Sequence, residues 1–260
     1  MSALTGPART PAPGRWIRPL GPAGAAARLR LICFHYAGGS PTMFRTWPGL
    51  LPQGVSVEPV LLPGRDARFR EQPYDRMEPL VASVVEALGP RLDRPYALFG
   101  YSMGAQVAFH VAHALRAAGL PQPAGLFVGA SPGPFLQREV PAWDKSDDDL
   151  VAYLHDMGGT PRHVLDDPDL LALMLPTLRA DLTTVATCPY TERPPLGMPV
   201  HAFAGEDDPS ASPERMEAWR RETDGDFRLT VLPGGHFFLN DHLTAVTSTL
   251  SGALRDLGVR

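Results

Sequence analysis

The chain has 260 residues, 24 Lys and Arg against 28 Asp and Glu for a formal net charge of −4, and 44% apolar residues. One α/β domain with an insertion and a large buried core fits that length. The balance of charge excludes a general basic face for nucleic acid or an anionic membrane, and no stretch approaches the roughly 18 apolar residues that span a bilayer.

Cys33 and Cys188, the two cysteines, are too few for a disulfide framework, which points to a reducing, cytoplasmic setting. Residues 1–28 are rich in Pro, Ala and Gly, lack the apolar core of a signal peptide, and read as a flexible tail. Short apolar runs bounded by Gly or Pro then recur at Leu29–Phe34, Val55–Leu62, Tyr96–Phe99, Leu126–Gly129, Val200–Ala204 and Phe227–Leu232. Helical patterns separate most of them, at Met77–Leu88, Met103–Ala118, Pro213–Glu222 and about Leu239–Leu257. Continuous apolar strands alternating with helices predict an α/β fold with a mainly parallel sheet covered on both faces. The core comprises residues 29–132 and 198–260.

Residues 133–197 break the alternation. Ser146 followed by three aspartates caps a helix carrying Leu150, Tyr153, Leu154 and Met157 at helical spacing. A second helix opens at Asp167 and Pro168, runs through Leu171, Met174, Leu178, Leu182 and Val185, and is expected to bend at Pro176. Its apolar stripe is wider than one packing face needs, so this helical insertion reads as a lid.

Gly100-Tyr101-Ser102-Met103-Gly104 joins the third strand to its helix. A serine on such a turn needs small residues two positions either side and is presented above the sheet at a positive helix end. An unactivated serine also needs a histidine to take its proton and a carboxylate to hold that histidine. Among eight histidines, His236 stands in a glycine loop just past the last strand, at the edge where Ser102 lies; His242 is the lesser competitor. Gly205-Glu206-Asp207-Asp208-Pro209 follows the preceding strand and supplies the acid, Asp208 before Asp207. The order Ser102, Asp208, His236 is that of an α/β-hydrolase triad. Oxyanion donors are expected from the Met103 amide and, in the glycine loop His35–Ser40 after the first strand, from Ala37. No Cys/His spacing suggests a metal or bound cofactor.

Together, Phe34-His35-Tyr36-Ala37-Gly38-Gly39, Leu62-Pro63-Gly64-Arg65, the serine pentapeptide, Gly205–Pro209 and Pro233-Gly234-Gly235-His236-Phe237-Phe238 resemble the type II thioesterases of polyketide and nonribosomal peptide pathways. The similarity runs from residue 29 to the C-terminus. That family commonly has His where Tyr101 stands and often Pro where His35 stands. The resemblance implies an α/β-hydrolase with a mobile lid, Ser102 as nucleophile, His236 as base, Asp208 before Pro209 as orienting acid, and Ala37 with Met103 at the oxyanion. It implies hydrolysis of stalled acyl groups from the phosphopantetheine arm of an acyl or peptidyl carrier protein, by an enzyme expected to be monomeric. Release of a finished medium-chain acid, general carboxylesterase activity and carrier binding without catalysis are the alternatives. Tyr36, Tyr101, Leu171, Met174 and Leu178 are the residues expected to touch substrate. Arg65, Arg68 and Arg70 are the candidates for docking an acidic carrier, set against an ordinary loop paired locally with Asp66 and Glu71.

Overall fold

The structure is a computed structural model that describes residues 15–21, 27–136, 140 and 143–258. Six strands, β1 (Leu29–Phe34), β2 (Val55–Pro59), β3 (Tyr96–Tyr101), β4 (Leu126–Gly129), β5 (Val200–Gly205) and β6 (Phe227–Leu232), form one sheet. All pair in parallel, in the order β2-β1-β3-β4-β5-β6. The central strands are continuous apolar runs because both faces are covered. Within β1, Ile32 and Phe34 enter a core shared with α1 (Met77–Leu88) and α2 (Met103–Ala117). Leu29, Leu31 and Cys33 enter the opposite core with Trp47 and the C-terminal helix α8 (Leu243–Asp256). The edge strand β6 is only partly buried.

Two expected helices are each divided. Pro213–Glu222 is a short α6 (Pro213–Glu217) followed by a 3₁₀ turn, and Leu239–Leu257 is split into α7 (Phe238–Asp241) and α8 where His242 leaves helical backbone.

The expected tail is corrected over residues 15–21. Trp16 is fully buried, Ile17 bridges Val60, and the Arg18 and Leu20 amides donate to Pro59 and Val57 at 2.9 Å. An indole carries enough apolar area to hold even a proline- and glycine-rich segment on the sheet edge. The rest of the tail, residues 1–14 and 22–26, lies outside the described residues.

Strand order reverses at β1, whose neighbours β2 and β3 lie on opposite sides. The loops after β1 and β3 therefore diverge and leave a crevice at the carboxyl edge, where parallel α/β sheets place their ligands. Over that edge lies the insertion: α3 (Asp147–Met157), α4 (Arg162–Leu165) and α5 (Pro168–Ala186). A capping box between Ser146 and Asp149 opens α3, and Gly158 closes it in left-handed backbone at φ +71°. Asp167 caps α5, which stays helical through Pro176 to Ala186. The three helices pack on one another through Leu150, Leu154, Leu165, Leu175, Leu178 and Leu182. Residues 137–139 and 141–142 of the expected lid lie outside the described residues.

Candidate active site

Ser102 connects β3 to α2 at φ +55° and ψ −118°. Positive φ is unfavourable for a residue with a side chain and persists only where the surroundings enforce it. Here they do, because the chain crosses itself too closely for side chains. A Cβ on Gly100 would stand 2.1 Å from the Gly104 carbonyl oxygen, and one on Gly104 would stand 2.2 Å from that of Phe34. The Ser102 amide is bonded to the Gly129 carbonyl at 2.8 Å, which fastens the turn to β4. Met103 opens α2, so its amide lies among those that have no acceptor within the helix.

His236 follows β6 through Gly234, at φ +98°, and Gly235. Its Nε2 lies 2.9 Å from Ser102 Oγ and its Nδ1 2.9 Å from Asp208 Oδ2. A carboxylate can only accept, so Nδ1–H donates to Asp208 and Nε2 is left to accept the serine proton. The other Asp208 oxygen receives the Ser210 amide at 2.9 Å, the Ser210 hydroxyl at 2.7 Å and the Ala211 amide at 3.1 Å. Burial alone would raise the Asp208 carboxyl, but the bond and charge of His236 and the bonds from Ser210 outweigh it and hold the acid below its ordinary range. Asp207, by contrast, is exposed.

The loop after β1 makes a tight turn. The Gly39 amide returns to the Tyr36 carbonyl at 2.9 Å, and Gly38 takes φ +72°, the left-handed third position that a type II turn reserves for glycine. The Gly38 amide is itself bonded to Asp181 of α5 at 2.8 Å. The Ala37 amide, between these bonds, has no hydrogen-bond acceptor among the described residues.

Ala37, Ser102, Met103 and His236 line a cavity of about 570 Å³, walled on the lid side by Tyr153 and Leu182. A recess of about 50 Å³, bounded by Tyr36, Leu154, Leu178 and Phe237, opens beside the same serine.

Three sequence expectations are corrected by these surroundings. Tyr101 does not face the cavity: it is buried, and its hydroxyl donates to the His236 carbonyl, so it supports the histidine loop. Leu171 and Met174 pack within the lid and line neither space, whereas Leu178, Leu182 and Val185 do. The stripe that meets the site therefore lies about two turns further along α5. Arg65 and Arg68 are buried, 7% and 2% exposed, and spent on internal partners: Arg65 on Asp181, Arg68 on Glu71, the Leu61 carbonyl and the Trp16 ring. Arg70 alone of the three is exposed. Asp181 escaped notice in the sequence, although a single acid inside the apolar stripe Leu178–Leu182–Val185 was a visible signal.

A strained serine turn at the switch point of a parallel sheet, with histidine and carboxylate in line and two amides beside it, defines a serine hydrolase of the α/β-hydrolase fold. Residues 29–254 match the Thioesterase domain family, and the chain belongs to it. It is 42% identical to the thioesterase RedJ from the prodiginine biosynthetic pathway of Streptomyces coelicolor, covering 96% of this chain and 91% of that one at a TM-score of 0.82. Identity to the type II thioesterase BorB from the borrelidin biosynthetic cluster is 37%, over 91% and 96% of the two chains at a TM-score of 0.83. The gramicidin S biosynthesis protein GrsT of Aneurinibacillus migulanus is 34% identical over 83% of this chain and 84% of its own.

Proposed function

We propose that this thioesterase hydrolyses acyl groups from the phosphopantetheine arm of acyl or peptidyl carrier proteins and so clears stalled or aberrant intermediates in polyketide or nonribosomal peptide synthesis. The observation that carries the reading is the hydrogen-bonded line Ser102–His236–Asp208 at the floor of a cavity large enough for an arm and its acyl group. His236 takes the Ser102 proton as Oγ attacks the thioester carbonyl. The Ala37 and Met103 amides receive the developing oxyanion, and Asp208 stabilises the imidazolium. His236 then protonates the departing pantetheine thiolate, and a water activated in the same way releases the acid. That sequence asks for no metal or bound cofactor. Among the described residues, no group of three or more His, Cys, Asp or Glu side chains could hold a metal ion, and no helix is long and apolar enough to cross a membrane. We place the reaction in the cytoplasm, with the enzyme as a monomer. Arg70 is the residue we assign to an acidic carrier surface, and reversing it to Glu should raise KM for acyl-carrier substrate but not for a small pantetheine thioester.

The test is release from one carrier loaded in turn with acetyl, propionyl, medium-chain and aromatic acyl groups, beside matched oxygen esters. Preference for short thioesters on the carrier, abolished by Ser102→Ala, is the expected result. Preference for medium chains alone would move the reading to release of finished fatty acids, and faster oxygen-ester cleavage would move it to a carboxylesterase. No turnover of any of them would leave a carrier-binding protein.

A further inference from the structure

Asp181 lies on α5, 3% exposed, with every carboxylate contact directed at the turn after β1 or at its brace. Oδ1 accepts from Arg65 Nη2 at 2.8 Å, and Oδ2 accepts from Arg65 Nη1 and from the Gly38 amide, each at 2.8 Å. Arg65 Nη1 also donates to the Gly39 carbonyl at 3.0 Å, while Nε reaches the Pro63 carbonyl at 3.3 Å. The pair therefore grips the turn at the Gly38 N–H and again at the Gly39 C=O, immediately beyond Ala37.

A buried ion pair is a poor device for stability alone, because desolvation offsets most of its attraction. It is a good device for fixing orientation, since the planar guanidinium fork accepts little deviation. The turn needs such fixing. Gly38 at φ +72° has no Cβ to limit it, so beyond the Gly39-to-Tyr36 bond its conformation is held only from outside the turn. The charge balance matters as well. A lone carboxylate bonded to the amide next to Ala37 would oppose a developing oxyanion, and Arg65 neutralises that charge in place.

We propose that Asp181 is a positioning residue for the oxyanion hole: through Arg65 and the Gly38 amide it orients the turn so that the Ala37 N–H meets the oxyanion. Because Asp181 belongs to the lid, the oxyanion turn takes its final geometry only with α5 seated on it. This rests on the reading of Ala37 as an oxyanion donor.

The test uses the full chain and a small acetyl-pantetheine thioester, which needs no carrier docking. In Arg65→Met/Asp181→Leu both charges are removed together, so none is left unpaired in the interior. The expected result is a cooperative thermal transition close to that of the parent, KM within about threefold, and kcat lower by about ten- to a hundredfold, the scale of a misplaced oxyanion donor. The pH midpoint of kcat/KM should not move, because the triad is untouched. Arg65→Lys is the second variant. It keeps the charge and the fold but loses the fork, and kcat is expected to fall several-fold at unchanged KM. A folded double variant with kcat within about threefold of the parent, or an Arg65→Lys enzyme with full kcat, overturns the proposal. So does a loss confined to KM. Ser102→Ala in the same assay separates the two levels: if it stays active, Ser102 is not the nucleophile and the serine-hydrolase reading of the site fails, whereas an inactive Ser102→Ala beside a fully active double variant rejects only the role of Asp181.

Discussion

The carboxyl edge of the sheet and the lid above it are held by different means. Ser102, Asp208 and His236 each follow a parallel strand by a few residues, and their places are set by backbone: a positive-φ serine, glycines pressed against carbonyl oxygens, and an acid ringed by the amides of Ser210 and Ala211. The lid has a small leucine cluster of its own and reaches the body through side chains, among them Thr177 to the Gly64 carbonyl at 2.9 Å, Thr184 to that of Tyr74 at 3.0 Å, and Asp181 to Gly38 at 2.8 Å. Backbone contacts of that closeness leave no room for adjustment, whereas side-chain contacts can be exchanged one at a time. The edge should therefore fail abruptly under substitution and the lid gradually.

The largest effect is expected at the acid. Asp208→Asn keeps the shape but favours the wrong histidine tautomer, and kcat should fall by up to about 10⁴. Asp207→Asn, on an exposed neighbour, should stay within about threefold. Steady-state kinetics on an acyl-pantetheine thioester decide it, and reversed effects would mean that Asp207 does the orienting.

Glycines measure the same contrast in stability. Gly104→Ala would drive a methyl to 2.2 Å from the Phe34 carbonyl oxygen and should cost more than about 4 kcal/mol in urea unfolding, the range of severe core disruptions. Gly158→Ala at the end of α3 meets nothing within 4 Å and carries only the strain of φ +71°, about 1–2 kcal/mol. Comparable losses at the two sites would remove the distinction between edge and lid.

The same contrast explains what could be read from the chain. The triad was legible because its determinants are local: a glycine two residues either side of a serine, a carboxylate just after one strand and a histidine just after the next. The strands were legible because two-sided burial leaves unbroken apolar runs. Asp181 and Arg65 were not legible as a pair, since 116 residues separate them and only the folded lid brings them together. Arg65 and Arg68 looked like surface charge for a related reason: a run of arginines carries no mark of burial, and only the partners Asp181, Glu71 and Trp16 reveal it. The stripe on α5 was visible as a stripe, but which two turns face the serine depends on how the helix sits.

Acid should act on the fold through its buried histidines. Burial, aided by Arg65, Arg116 and Arg228 respectively, lowers His35, His113 and His201 from 6.5 to about 4. The fold thus favours their neutral forms, so the stability they contribute is full above about pH 6.5 and is lost as pH falls toward 4. At pH 5 each would account for up to about 2 kcal/mol. His201, in β5 and stacked on Phe203, is the one to replace, since it lies outside the catalytic cavity. Urea midpoints at pH 7 and pH 5 should draw closer together in His201→Gln than in the parent. An unchanged gap would place the acid sensitivity elsewhere.

The smallest effect, and the finest division, lies within the lid. Leu182 borders both the main cavity and the recess, while Leu171, three turns earlier, packs inside the lid and borders neither. Enlarging Leu182 to Phe subtracts space where an acyl chain would lie. One methylene of lost accommodation is worth about 1–3 kcal/mol, so the kcat/KM ratio of medium-chain to short-chain thioesters should fall by about tenfold or more. Leu171→Phe fills space among lid side chains instead, and its ratio should stay within about twofold even if its melting temperature drops. Acyl-length profiles and thermal melts on both variants give the answer. If Leu171→Phe alters selectivity as much as Leu182→Phe, the lid shapes the acyl site through its overall packing, and its cavity-facing stripe has no separate role.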